Sequence, residues 1–238
     1  MLFLFRCCSP LLILALLAAP AQAHYLWTIL ETKGGQTVAN VYFEESPNPG
    51  DGGYLDPIAA SGKTWIRTVK EPTPKLLAME EAVKPGKRWL SAPVSAKAPR
   101  GLESTGTYGV YPYGDTMVLL HYYARYLDTD DQNAVDDLAV AEQLMLDIRP
   151  HFTLKGLELE VIWKGEPAAK RPIYVKGFSG RKTLTTDENG RAFFPFDKAG
   201  RHLLRTYVEL DEGGTHDGKE FEKIRHHATM TVELPAAQ

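Results

Sequence analysis

The run Ala228-Thr229-Met230-Thr231-Val232-Glu233-Leu234, near the C-terminal end of the sequence, alternates apolar and polar residues without a break. A period of two is the mark of a β-strand with one face in a core, so this run predicts a strand that buries Ala228, Met230, Val232 and Leu234. In that register His226 falls on the inward face and His227 on the outward one. Working back towards the N-terminus, β-branched and aromatic runs recur at 24–30, 37–43, 64–69, 116–127, 157–163, 173–176, 191–196 and 203–210. Between them lie turn-forming clusters such as Lys33-Gly34-Gly35, Ser46 to Gly53 and Asp187-Glu188-Asn189-Gly190. Short strands with regular turns predict an all-β (mainly) chain of β-sandwiches rather than a parallel α/β sheet. Helix is expected only at 56–61 and at 74–83, the second ended by Pro85-Gly86.

Apolar residues make up 44% of the 238 positions and charged residues 24%, the composition of a globular protein. The formal net charge of −3 gives no basic field for a phosphate backbone, so nucleic acid is not an expected partner. Residues 1–23 carry Arg6, a greasy run from Leu11 to Ala19, and the small-x-small ending Ala21-Gln22-Ala23. That pattern predicts a secretory signal peptide cleaved after Ala23 and a periplasmic or secreted product. The greasy run is shorter than the roughly 20 residues a spanning helix needs, so no direct membrane insertion is expected after cleavage. Both cysteines, Cys7 and Cys8, fall inside the leader.

The acidic run at 128–137 is followed by Leu144 to Pro150, which places a boundary near residue 145. The chain then divides into the leader 1–23, an N-terminal β-rich domain 24–145, and a segment 146–238 of the length of one immunoglobulin-like sandwich.

Cleavage after Ala23 makes His24 the first residue, with an imidazole and an α-amine on the same side chain and backbone unit. An amine of pKa about 7.7 costs only about 1 kcal/mol to deprotonate at pH 7, so the pair can chelate a borderline ion such as copper or nickel. No HExxH, CxxC or Asp-rich calcium loop is present, so further ligands must come from different strands. The candidates are His24, Glu45, His121 and His226. Each has an ordinary alternative: Glu45 as a solvated strand end, His121 as a sheet residue bonded to a tyrosine hydroxyl, His226 as a hydrogen-bonded core imidazole. His216 reads as part of a solvated loop, and His151 and His202 as hinge and strand residues.

Two resemblances add to this reading. Gly165-Glu166-Pro167, Thr186-Asp187-Glu188-Asn189-Gly190-Arg191 and Ala199-Gly200-Arg201-His202 resemble the motifs of small sandwich modules related to the carboxypeptidase regulatory domain. Over 24–234, the start His24-Tyr25-Leu26-Trp27 and the runs Val41 to Glu45, Tyr122 to Arg125, Leu146 to Pro150 and Arg225 to Thr231 resemble an exported two-domain family often labelled nickel-uptake-type periplasmic proteins. The resemblance implies transition-metal handling, a nickel or copper ion bound by the chain, and a membrane transporter component as partner. An aromatic residue is common in that pattern where this chain has His227.

The resulting expectation is a non-enzymatic exported metal-binding protein. Two rivals remain: a copper-dependent polysaccharide monooxygenase, which also begins with a chelating histidine on a β-sandwich, and a purely structural or adhesive sandwich protein. No G-x-S-x-G elbow and no mature cysteine supports nucleophilic chemistry.

Overall fold

A computed structural model describes residues 24–129, 132–153, 155–177, 180–195 and 200–234; the expected leader lies outside them. Strands account for 65% of the described residues, so sheets, not helices, make the layers. In chain order the elements are β1 (Tyr25–Lys33), β2 (Gln36–Glu44), α1 (Asp56–Ser61), β3 (Lys63–Thr68), β4 (Lys75–Leu76), β5 (Glu80–Lys84), β6 (Lys87–Val94), β7 (Arg100–Tyr113) and β8 (Thr116–Asp128). Then follow α2 (Gln132–Leu138), β9 (Leu146–Thr153), β10 (Gly156–Trp163), β11 (Glu166–Pro167), β12 (Pro172–Gly177) and β13 (Gly180–Thr185). The chain ends with β14 (Arg191–Pro195), β15 (Gly200–Leu210), β16 (Gly214–His216), β17 (Lys219–Phe221) and β18 (Lys223–Leu234).

An eight-stranded sheet in the order β13-β12-β15-β18-β8-β7-β3-β4 runs through the molecule. Its centre is the parallel pairing of β18 with β8, His226 opposite His121 and Ala228 opposite Tyr123. All other strand pairs among the described residues are antiparallel. One face of the centre carries β9, β10 and β14; there Ala228 and Met230 of β18 and Tyr123 and Leu127 of β8 share a core with Leu146, Ile148, Leu157, Leu159 and Val161. The other face carries the sheet β1-β2-β6-β5. Leu26 and Phe43 pack on Leu120 and Tyr122 of β8, while Trp27, Tyr42 and Trp89 pack on Leu102 and Tyr126. The edge of β1 meets the central sheet directly, since the Leu26 carbonyl accepts a 2.5 Å hydrogen bond from Thr229 Oγ1.

This second covering layer corrects the reading of His227. The alternation assigns it to the face opposite Ala228 and Met230, but that face is covered by β1, and His227 is 8% exposed against 5% for His226. A period of two separates two faces; it does not say that one of them is wet. Two further expectations change. The helix over 56–61 is present as α1, but 74–83 holds β4 and the start of β5, and Pro85-Gly86 turns the β5–β6 hairpin with Gly86 at φ +67°. His216 lies in the short β16–β17 hairpin rather than in a loop.

The neighbourhood of residue 145 is held by buried charge. Arg67 and Glu103 pair at 3.3 Å, and Arg125 pairs with Asp147, all four at most 6% exposed. Arg67 also donates to the carbonyls of Leu138 and Val140, Arg125 to that of Leu138, and Glu103 accepts the backbone N–H groups of Glu142 and Gln143. The stretch following α2 is thereby fixed to strands β3, β7 and β8 by groups that solvent does not screen.

Candidate functional site

His24 immediately precedes β1. Its ring packs at 4.4 Å (centroid to centroid) from Tyr54 and 6.0 Å from Phe43, and its Nε2 lies 3.7 Å from Glu44 Oε2. Glu44 is the last residue of β2, and its carboxylate rests on the backbone of Gly50: a Cβ at Gly50 would come within 1.9 Å of Oε1. Gly50 in turn is fixed by backbone bridges to Arg88 of β6. Burial raises the Glu44 pKa above the usual carboxylate value, opposed by the neighbouring His24 and reinforced by Asp51. His24, but not Glu44, lines a hollow of about 50 Å3 that Tyr108, Tyr111, Tyr113, Leu120 and Tyr122 wall.

The carboxylate beside His24 is therefore Glu44. Glu45 lines a different cleft, with Tyr25, Trp27 and Arg205. The strand ends where the Trp27 indole takes the Glu44 carbonyl, at 3.0 Å, and beyond that point alternation along β2 no longer places side chains. The glycine-rich loop after Glu45 carries the signal that would have selected Glu44: a backbone without Cβ at residue 50 leaves room for a folded-back carboxylate.

His121 and His226 do come together, on the other face of the central sheet. Their rings stack at 4.9 Å with 16° between planes. Nδ1 of His121 is 3.0 Å from Thr107 Oγ1, and Nδ1 of His226 is 3.0 Å from the Tyr123 hydroxyl. Trp163 covers His226 at 4.5 Å. Burial lowers the pKa of both, with His226 reaching about 4 under the added influence of His121 and Lys164, so both are neutral at pH 7. These contacts are those of a satisfied imidazole pair. His24 and His226 are separated by the sheet itself, since His24 shares its hollow with Leu120 and Tyr122 while His226 sits with Tyr123. Among the described residues no three His, Cys, Asp or Glu side chains converge as a metal cluster.

His227 stacks on Tyr122 at 5.1 Å and meets the Tyr25 ring edge-on at 5.6 Å. Its Nε2 is buried without a hydrogen-bond partner, and burial, helped by Arg225 and Arg205, lowers its pKa to about 3. No helix among the described residues is long and apolar enough to cross a membrane. Comparison with models of known protein families and with curated proteins gives no match.

Proposed function

We propose that the chain is an exported protein that binds a transition-metal ion, nickel, cobalt or copper, as cargo at His24, and passes it to a membrane transporter component. The observation that supports this reading is the pairing of the His24 imidazole with the half-buried Glu44 carboxylate at the head of β1. Cleavage after Ala23 would add the α-amine, giving two nitrogens and a carboxylate, a donor set suited to a borderline divalent ion. The amine is a backbone group, so this set needs no third histidine. The hollow beside it, about 50 Å3, has room for an ion and a water or two and falls far below the roughly 300 Å3 at which organic-ligand pockets begin. The resemblance to nickel-uptake-type proteins points the same way, as does the expected periplasmic or secreted location. The rings around His24 are Phe43 and Tyr54, so the polysaccharide-oxidising alternative gains no second histidine there.

The finer architecture belongs with this reading. Strands β9, β10 and β14 facing β12, β15 and β18 have the makings of an immunoglobulin-like, carboxypeptidase-regulatory-like module over 146–238, with β8 completing its second sheet.

Titration of the chain beginning at His24 with Cu(II) and Ni(II) tests the proposal. An N-terminal Gly-Ser extension, which turns the amine into an amide, should abolish most of the affinity, and Glu44→Gln, which removes the carboxylate donor, should weaken it by at least about tenfold. Equal affinity with and without the extension would overturn the reading.

A further inference from the structure

The second cleft lies on the Trp27 side of β1 and has a volume of about 370 Å3, inside the range of roughly 300–1,000 Å3 typical of small-molecule sites. Its floor is the stretch of the central sheet that β1 leaves uncovered. There the register across β13, β12 and β15 sets Arg181 beside Lys176, and Tyr174 beside Arg205, on one face. Lys182, the next residue on β13, carries its ammonium over the Phe194 ring.

Lys176, Arg181, Lys182 and Arg205 line this concave surface of a chain whose net charge is −3, and among the described residues Glu45 is the one carboxylate lining it. Among the described residues Arg205, Arg181 and Lys176 make no ion pair. Arg205 is held instead by rings: its guanidinium carbon is 4.1 Å from the Tyr25 centroid and 5.7 Å from that of Tyr174. Stacking fixes the plane of the guanidinium and leaves its in-plane N–H fork for an oxyanion, the geometry that suits a bidentate carboxylate. The same rings offer apolar walls to a carbon skeleton.

We propose that this cleft binds a small hydroxy-di- or tricarboxylate. Arg205 takes one carboxylate, Arg181 and Lys176 take a second, and Glu45 accepts a hydrogen bond from the ligand hydroxyl. A bare phosphate is a single anionic centre with no carbon skeleton to lie against the Tyr25 and Tyr174 rings. The proposal is independent of metal binding at His24, which lies on the other side of β1.

The test is calorimetric titration of the metal-free full chain with citrate at low ionic strength, beside tricarballylate, which lacks the hydroxyl, and inorganic phosphate. Citrate should bind saturably at one site, more tightly than either comparator, and more weakly as salt is added. Arg205→Gln and Arg181→Gln should each loosen citrate by at least about tenfold, since each removes a charged hydrogen-bond donor. Arg181 lies exposed on the edge strand β13, so its variant reports on binding even where loss of the Arg205 stack disturbs folding. No saturable citrate binding, undiminished affinity in Arg181→Gln, or phosphate bound as tightly as citrate would overturn the proposal. Tricarballylate bound as tightly as citrate would overturn the role given to Glu45.

Discussion

On the face of the central sheet turned towards β9 and β10, strands β3, β7 and β8 bury Arg67, Glu103 and Arg125, and β9 adds Asp147. On the face turned towards β1, the same sheet buries Leu102, Tyr122 and Tyr126 against Trp27, Tyr42 and Phe43. One face is closed by charges that must find one another, the other by rings that need only fit. The difference lies in what each must hold. Rings pack one strand layer on another, whereas the charges also fasten irregular backbone, taking the buried Leu138 carbonyl and the N–H groups of Glu142 and Gln143.

The severest way to break this arrangement is to cut it at residue 145. A fragment of 146–238 loses Asp147's partner, the pairing of β18 with β8, and the core residues Tyr123, Leu127, Val135 and Leu138. We expect no cooperative melt and a collapsed amide spectrum; a sharp melt would show that the segment is self-sufficient, as the composition shift alone suggests.

Next in size is Arg125→Met. Arg125 is 1% and Asp147 4% exposed, so removing the cation strands a carboxylate in the interior and should cost about 3–5 kcal/mol in urea unfolding. Arg125→Met with Asp147→Leu should recover most of that loss, since a buried pair is worth little more than apolar groups of its own volume. If the double variant is as unstable as the single one, the carbonyl contacts to Leu138 carry the effect.

The smallest effects should come from the consecutive histidines of β18, one on each face. His226→Phe leaves the Tyr123 hydroxyl without its partner and should cost about 1–3 kcal/mol. His227→Phe removes an imidazole nitrogen that has no partner and should cost less than about 1.5 kcal/mol. Acid sharpens the contrast. Both imidazoles have folded pKa values below the ordinary 6.5, about 4 for His226 and about 3 for His227, so the unfolded chain takes up protons first. Their contribution to stability is complete above about pH 6.5 and is lost as pH falls towards 4 and then 3. A series of melts from pH 7 to 4 should show a shallower decline for His227→Phe than for the parent chain; parallel curves would mean that His227 takes up its proton as readily in the fold as in the unfolded chain.

The strands that carry β-branched and aromatic residues were legible, among them β1, β2, β8, β10, β15 and β18. β7 was not, because Gly106, Gly109 and Pro112 interrupt its pattern; it is held as a strand by the length of β8 beside it, through a register shift between Thr107 and Gly109. The run 74–83 reads as a helix by its local pattern and becomes β4 and β5 because β3 and β6 offer it ladders. At the candidate site, His24 is marked by the cleavage pattern and His226 by alternation. That Glu44 rather than Glu45 turns to His24 depends on how the chain leaves β2, and the cover over His227 depends on a strand some 200 residues earlier, neither of which a period can report.

β18 is the final described strand and lies in the middle of the sheet, with β15 on one side and β8 on the other. A chain delivered N-terminus first therefore cannot assemble its centre until β18 has arrived. The hydrogen bond from Thr229 to Leu26 closes a loop of 203 residues, and such distant closures slow folding. Until that strand is inserted, β8 and β15 present open edges that can pair with other chains, so the interval between synthesis and final closure is when this protein is most exposed to misassembly and has most need of a holding chaperone.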